Sequence, residues 1–458
     1  MSGLELDEVC KTSPPPFGHP MLKYFGFDPQ YVNLNNGSFG SVPTPVQAEC
    51  DKLAREIERN PDLFHRFTHY NIQAQVRELI APLIGAQADE CVIVPNATHG
   101  VYTVLRNIEW ERGDIIIEFN TTYEGVSRAV QYLADAPPHI SVSALTITYP
   151  TTHADIISAF RAHVKSVVAS KPPGKKVVAL IDSIVSNPGV LQLWQELVKV
   201  CRAAGVLSIV DAAHSIGQEL NINLGESQPD FWISVCQILI PFKLEALLNG
   251  STELPQMAIY TTFYVPKRNQ YLIRSSIPTP HAYASLGSPP AFIEQFDWNG
   301  TADFIPFYSV VHVDSVITHD PRTESTVALR FRAWLGGEAK INEYCHKLAI
   351  AGGKRLAKVL GTQVMDPDGS LTLNMVNVEL PLSGSIQWTR ELDIKMQEKL
   401  LKDHNVYAAH FYHYGRWWTR CSAQVYNELS DFEVLGHAFL RLCADIQQEF
   451  RVVKAAKL

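Results

Sequence analysis

The sequence has no C-x-x-C pair. Its eight cysteines, at 10, 50, 91, 201, 236, 345, 421 and 443, stand far apart and form no cluster with histidines. That excludes a zinc ribbon and a dense disulfide framework, so no metal site is expected, and it fits a reducing compartment. There is no basic run. Lys and Arg number 39 against 47 Asp and Glu, a formal net charge of −8, which argues against nucleic acid as the main partner. The longest tempting apolar stretch, Phe231 to Phe242, spans 12 residues and contains a proline, whereas a membrane helix needs about 20. The N-terminus, MSGLELDEVCK, lacks the basic and apolar regions of a secretory signal. A cytoplasmic protein without a membrane anchor is expected. One end signal leaves a second address open. Ala456-Lys457-Leu458, with Lys454 just upstream, approximates the S-K-L peroxisomal address, the alternative being a helix end that happens to finish in Leu.

What is present is the profile of a globular protein, with 46% hydrophobic and 19% charged residues; disorder is excluded as the main state. The length of 458 residues suggests two or three domains, because single cores stop growing at about 250–300 residues. The middle of the chain repeats one pattern: a short apolar run, a polar turn, then a helix-length segment. Cys91–Val94, Ile115–Ile117, Val177–Ile181 and Val206–Val210 are continuous rather than alternating apolar runs. Strands covered on both faces look like this, so a parallel sheet between helices is expected. After about residue 310 the pattern changes. One long helical stretch around Ala333–Val359, an alternating run Leu371–Leu380, a helix Thr389–Asp403, a strand near Trp417–Val425 and a last helix Asp431–Phe450 suggest a smaller α+β domain. The expected division is an arm over 1–45, a large domain over 46–310 and a small C-terminal domain over 311–458.

In an open parallel sheet, ligands bind beyond the carboxyl ends of the strands. There the unusual polar residues cluster: Asn96 to Gly100, Thr121 to Tyr123, Asp182 to Asn187, and Asp211 to His214. Asn96-Ala97-Thr98-His99-Gly100 ends a strand and opens a helix, so exposed amides, the helix dipole and a hydroxyl make a phosphate seat. A plain helix cap is the alternative. The loop is neither a Walker loop nor G-x-G-x-x-G, which weakens ATP and NAD as ligands. Asp211 follows a buried strand and needs a cationic or hydrogen-bonded partner. A protonated pyridine nitrogen would serve, with His214 reaching a ring hydroxyl; capping of the next segment is the alternative.

The run Val210-Asp211-Ala212-Ala213-His214-Ser215-Ile216-Gly217-Gln218 resembles the pyridoxal-phosphate signature of class V aminotransferase-fold enzymes. Leu34-Asn35-Asn36-Gly37-Ser38-Phe39-Gly40, the Asn-Ala-Thr loop, Trp298-Asn299-Gly300-Thr301-Ala302-Asp303, and Arg420-Cys421-Ser422-Ala423-Gln424-Val425-Tyr426-Asn427 match in the same order. Together they resemble the isopenicillin N epimerase-like branch, which includes fungal hercynylcysteine sulfoxide lyases and pyridoxal-phosphate enzymes of loline-type alkaloid pathways. The resemblance implies an α/β, type I pyridoxal-phosphate-dependent transferase fold. Its large domain carries a mainly parallel sheet between helices, and a smaller α+β domain follows. It implies that Ala97, Thr98 and His99 hold the cofactor phosphate, with Gly300 and Thr301 reaching it from a second subunit of a homodimer. It implies that Tyr123 stacks on the pyridine ring, Asp211 pairs with the ring nitrogen and His214 with the ring hydroxyl. Asn187 lies near the cofactor, Asn36 near the substrate, and Arg420 receives the substrate carboxylate. Core or turn roles for Tyr123 and Asn36, and an ion pair for Arg420, remain the bland alternatives.

One part is missing from its place. The family pattern after the strand Asp230–Cys236 looks like Ser-Asn-Cys-His-Lys-Trp, whereas this chain reads Ser234-Val235-Cys236-Gln237-Ile238-Leu239. Ile238 stands where the aldimine-forming lysine is expected. Lys243 lies five positions further on, roughly 16 Å in an extended chain, beyond the reach of a lysine stem unless the loop is reshaped. Three accounts stay open: Lys243 brought back by such a loop, a mistranslated or alternatively spliced segment over about 237–263, and a protein that has lost catalysis. The expected function is a pyridoxal-phosphate enzyme acting on an amino acid or derivative, by epimerisation, C–S cleavage or an alkaloid-forming step. A catalytically silent binding or oligomeric partner is the alternative.

Overall fold

The structure is a computed structural model describing residues 5–235, 261–283, 285, 288, 289, 291–298, 300, 304, 305 and 327–456. Gln237, Ile238, Lys243, Thr301, Lys457 and Leu458, on which expectations above rest, lie outside the described residues.

In chain order the elements used below are β1 (Val32–Asn33), α1 (Thr44–Arg59), α2 (His69–Ile80), β2 (Cys91–Val94), α3 (Ala97–Asn107), β3 (Ile115–Phe119), α4 (Glu124–Asp135), β4 (Ser141–Leu145), α5 (His153–Ser170), β5 (Val177–Asp182), α6 (Trp194–Ala203), β6 (Leu207–Asp211), β7 (Phe231–Val235) and β8 (Thr261–Tyr264). They are followed by α7 (Val327–Trp334), α8 (Gly337–Leu360), β9 (Met375–Glu379), α9 (Arg390–Glu398), β10 (Val406–Tyr407), β11 (Ala409–His413), β12 (Arg416–Ser422) and α10 (Leu429–Ala456).

The large sheet runs β2-β8-β7-β6-β5-β3-β4. From β7 to β4 every pairing is parallel, and β8 is antiparallel to both its neighbours. Every residue of β5 and of β7 is buried, as the unbroken apolar runs imply. Alternation divides them between two cores. Val177, Ala179 and Ile181 meet Leu53 and Ile57 of α1, Ile72 and Val76 of α2, Phe160 of α5 and Leu197 of α6. Val178 and Leu180 meet Val101 and Val104 of α3 and Val126 and Val130 of α4. Each such side chain contributes about 1.5–3 kcal/mol by leaving water. This is the mainly parallel sheet between helices that the sequence leads one to expect.

The second unit holds the antiparallel sheet β11-β12-β9, with Leu348 and Leu356 of α8 and Phe432, Leu435 and Phe439 of α10 packed on Val376, Val378 and Trp417. The first residues join it. β1 pairs in parallel with β10, the Ser422 N–H donates to the Leu34 carbonyl at 2.7 Å, and Leu6, Met21 and Tyr24 pack with Val327, Phe331 and Tyr426. The long helical stretch expected around 333–359 is α8, which starts at Gly337, with the short α7 ending just before it. Gly336 (φ 107°) and Gly337 (φ 85°) both take positive φ between α7 and α8, where a residue with a side chain would be strained. The run Leu371–Leu380 is strand only over β9. Its first part is a turn in which the Asp366 carboxylate accepts from the Leu371 N–H and the Thr372 hydroxyl, each at 2.8 Å.

Candidate active site

β5 and β6 pair in register, Asp182 opposite Asp211, and each strand ends on that carboxylate. Leu180 and Ile209, two residues earlier, belong to the core under α3 and α4, so both carboxylates face that side. Asp211 is 7% exposed. One of its oxygens accepts from the Ala213 N–H at 3.1 Å. Among the described residues no cation offsets its burial, which pushes the carboxyl up to about 6. The loop beyond β6 is pinned on both sides. Ala212 N–H donates to the Ile233 carbonyl at 2.7 Å and Ser183 N–H to the Asp211 carbonyl at 2.9 Å, while the Ser183 and Ser215 hydroxyls meet at 2.5 Å. His214 rides on this loop. Burial, and secondarily the Arg420 guanidinium, push its imidazole down to about 3, so it is neutral at pH 7.

Arg420 on β12 is 1% exposed, yet its hydrogen-bond partners are all neutral. One terminal nitrogen donates to the Ser186 carbonyl at 2.7 Å and the Ser186 hydroxyl at 3.3 Å. The other donates to the Ser38 hydroxyl at 2.7 Å and Asn35 Oδ1 at 3.3 Å. Nε is buried without a partner. Desolvation pulls the guanidinium down to about 10, and among the described residues no carboxylate forms a salt bridge with it. The surface ion pair is thereby excluded. Asn377, in register with Arg420, clamps Gly189 through its N–H and its carbonyl, at 2.9 and 3.0 Å. Ser422, two residues along β12, lines a crevice with Asn36, Gly37, Gly217 and Gln218.

At the start of α3, Asn96 Oδ1 accepts from the His99 N–H at 2.8 Å. It therefore caps the helix, and the amides of Ala97 and Thr98 have no carbonyl to reach within it. The Thr98 side chain is exposed. The His99 ring is turned inward. It hydrogen-bonds the Ile277 carbonyl, and burial lowers its pKa, while Nε2 is buried without a partner. Gly100 lets α3 approach the sheet, since a Cβ there would lie 2.8 Å from Ile233 Cγ2. Tyr123 is 48% exposed at the mouth of α4, an open ring rather than a core aromatic. Asn36 is buried and accepts from the Tyr426 hydroxyl at 3.1 Å. Asn187 is exposed, and its neighbour Ser186 makes the contacts to Arg420. Gly300 has a φ of 119°, and no described residue stands within 4 Å of where its Cβ would be.

The structure thus brings His214, on the loop that follows Asp211, into electrostatic range of Arg420, with Asn35, Ser38 and Ser186 holding the guanidinium. Asn35, Ser38 and Ser186 went without roles in the sequence, although all three lie in motifs quoted for it. Asp182 likewise stood in a polar loop without a function. Among the described residues three needs are unmet: a cation for Asp211, an anion for Arg420, and an acceptor for the amides and hydroxyl at the start of α3. A protonated pyridine ring bearing a phosphate fits the first and third, and a substrate carboxylate fits the second. Among the described residues no cluster of His, Cys, Asp or Glu suits a metal ion.

Comparison with known proteins agrees. Residues 34–237 match the model of the aminotransferase class-V family. The chain is 31% identical to the L-cysteine desulfhydrase-like protein lolT1 of Epichloe uncinata, over 94% of this chain and 97% of that one. It is 28% identical to the hercynylcysteine sulfoxide lyase of Schizosaccharomyces pombe, over 93% and 98%. Among solved structures, the apo cysteine desulfurase of Thermococcus onnurineus superposes with a TM-score of 0.67 at 16% identity, covering 95% of this chain and all of that one; at that identity the likeness speaks for the fold. The unpaired carboxylate, the unpaired guanidinium and the open helix start are accounted for together when the chain is placed where these similarities put it, in the class V aminotransferase family of pyridoxal-phosphate-dependent enzymes.

Proposed function

We propose that this protein is a lyase that breaks a C–S bond in an amino acid or amino-acid derivative bearing a free carboxylate. The observation that carries the reading is Arg420: a buried guanidinium with only neutral partners awaits a carboxylate, which its planar fork takes in two hydrogen bonds. The names of the relatives, a desulfhydrase-like protein and a sulfoxide lyase, favour C–S cleavage over epimerisation. An isopenicillin N epimerase of Streptomyces clavuligerus, 25% identical over 45% of this chain, keeps epimerisation as the second reading.

Ala97 and Thr98 would hold the cofactor phosphate and Tyr123 would cover the ring, with Asn187 at the rim of the site. Asp211 would keep the proton on the ring nitrogen, and neutral His214 would hydrogen-bond the ring hydroxyl. When bound, pyridoxal phosphate supplies an electron sink for bonds at the substrate's Cα. Arg420 fixes the carboxylate and so decides which of those bonds is presented to the ring, with Asn36 beside it. The buried setting of Asp211 and Arg420 strengthens both contacts by excluding water. Which lysine bonds to the cofactor, Lys243 or another, belongs to the same proposal. So does a homodimer, supported by Leu63, Phe67 and Tyr70, exposed at helical spacing.

The test is direct. Purified protein should be yellow, borohydride should fix the cofactor to one lysine peptide, and thiol-bearing or sulfoxide-bearing amino acids should release a sulfur product. A colourless protein that gains no mass with pyridoxal phosphate and borohydride would favour the silent binding partner instead.

A further inference from the structure

Asp182 is a carboxyl group that the reading above leaves without work. It is 4% exposed, it ends β5 beside Asp211, and one of its oxygens is buried without a hydrogen-bond partner. Strands in a sheet lie about 4.8 Å apart, so in-register side chains on one face are immediate neighbours. The titratable groups that face Asp182 are Asp211 on β6 and Glu118 on β3, with the buried Tyr149 hydroxyl, beyond β4, also feeling its charge. None is a cation. The Tyr123 backbone N–H also points at the Asp182 carboxyl, which ties it to the loop carrying the aromatic ring at the mouth of the site. Two carboxylates this close, buried and without a counter-ion among the described residues, do not both ionise. Burial first, and the charge of Asp211 second, hold the Asp182 carboxyl well above the ordinary range, in the direction of the protonated form.

We propose that Asp182 and Asp211 carry one negative charge between them, and that Asp182, as the proton-bearing member, is the positioning residue for Asp211 and for the Tyr123 loop. The proton on Asp182 gives its unpartnered oxygen a hydrogen bond to donate toward Asp211. That leaves the Asp211 carboxylate as the single charge offered to a ring nitrogen. Two ionised groups would repel each other, and a pair with two protons would offer no charge. The inference rests on the cofactor reading for its consequence, though the carboxyl pair itself is a property of the protein alone.

The experiment has two arms on the full-length protein. Isotope-edited infrared spectroscopy of the protein without added cofactor should show a protonated aspartic carboxyl near pH 7 that is missing from Asp182→Asn. Titration with pyridoxal phosphate, followed by absorbance, should show Asp182→Leu losing about tenfold or more in affinity, the size expected when a hydrogen bond to a charged group is removed. Asp182→Asn, neutral and still a donor, should recover most of that loss. If Asn behaves like Leu, the native carboxyl works through its charge and the proposal is wrong. The same holds if Leu behaves like the native protein, or if the native protein shows no protonated aspartate at pH 7. Should the substitutions prevent folding, the pH titration of the infrared band in the unsubstituted protein decides alone. Should that protein bind no pyridoxal phosphate at all, the cofactor reading fails while the infrared arm still judges the pair.

Discussion

Gly189 and Arg420 stand so close that no side chain can be added at the glycine: a Cβ there would lie 2.8 Å from Arg420 Cδ, 3.0 Å from its Cγ and 3.1 Å from Met375 Cβ. The neighbours are the stem of a buried arginine and a packed methionine, and the loop itself is clamped by Asn377. Gly189→Ala should therefore displace the guanidinium rather than the backbone. The expected result is a rise of about tenfold or more in KM for an amino-acid substrate, since an ångström of misplacement costs that much or more, with a melting temperature lowered by only a few degrees. Unchanged KM would show that Arg420 does not position the substrate.

Arg420 has no anionic partner among the described residues, so a bound carboxylate should stabilise the fold by mass action. At a hundred times its dissociation constant a ligand adds about 2.7 kcal/mol. Differential scanning fluorimetry with increasing concentrations of a small amino acid should raise the melting temperature of the native protein and leave that of Arg420→Met unmoved. Arg420→Lys should bind weakly, because an ammonium group cannot reproduce the two-pronged contact.

The pH dependence of cofactor binding follows from Asp211. Its carboxyl is raised to about 6 in the free protein, and it must be ionised to pair with a pyridine nitrogen. Binding is then insensitive to this group above about pH 6 and weakens below it, approaching tenfold per pH unit in the limit. The phosphate of the ligand titrates near the same pH, so the comparison that isolates Asp211 is the native protein against Asp211→Asn. The variant should bind more weakly at pH 8 and lose the part of the acid dependence that the native protein shows in excess.

Asn96 serves α3 as a cap. Asn96→Ala should cost about 1 kcal/mol of stability, measurable by urea denaturation. It should also free the His99 N–H, and so change phosphate affinity less than Thr98→Val, which removes the exposed hydroxyl. A Thr98→Val protein that binds inorganic phosphate and pyridoxal phosphate as the native protein does would place the phosphate elsewhere.

Much of this was legible in the sequence because it is local. The apolar runs of β5 and β7 announce strands buried on both faces, and Asp211 follows such a run directly, so its need for a partner can be read from its neighbours. The Asn-Ala-Thr turn carries its own capping signal. What the sequence conceals is distance along the chain. Arg420 and its partner Ser38 are 382 residues apart, and no periodicity links them. Asp182 and Asp211 become a pair only when β5 and β6 settle in register. The break between α7 and α8 was hidden because Gly336 and Gly337 sit inside an otherwise helical pattern, and only the fold shows their positive φ.

The strand β1 and the residues after it are stitched to the far end of the chain: Val32 opposite Val406, Asn33 beneath Asn427 at 3.0 Å, Asn35 and Ser38 around Arg420. During synthesis this first segment waits without a mate while nearly four hundred further residues leave the ribosome. At ordinary translation speeds of about 5–20 residues per second that is some tens of seconds. The large sheet has its strands much earlier, so the domain that holds the cofactor can be born before the anion receptor exists. A ribosome stalled before codon 420 would release a protein with a floor and no clasp.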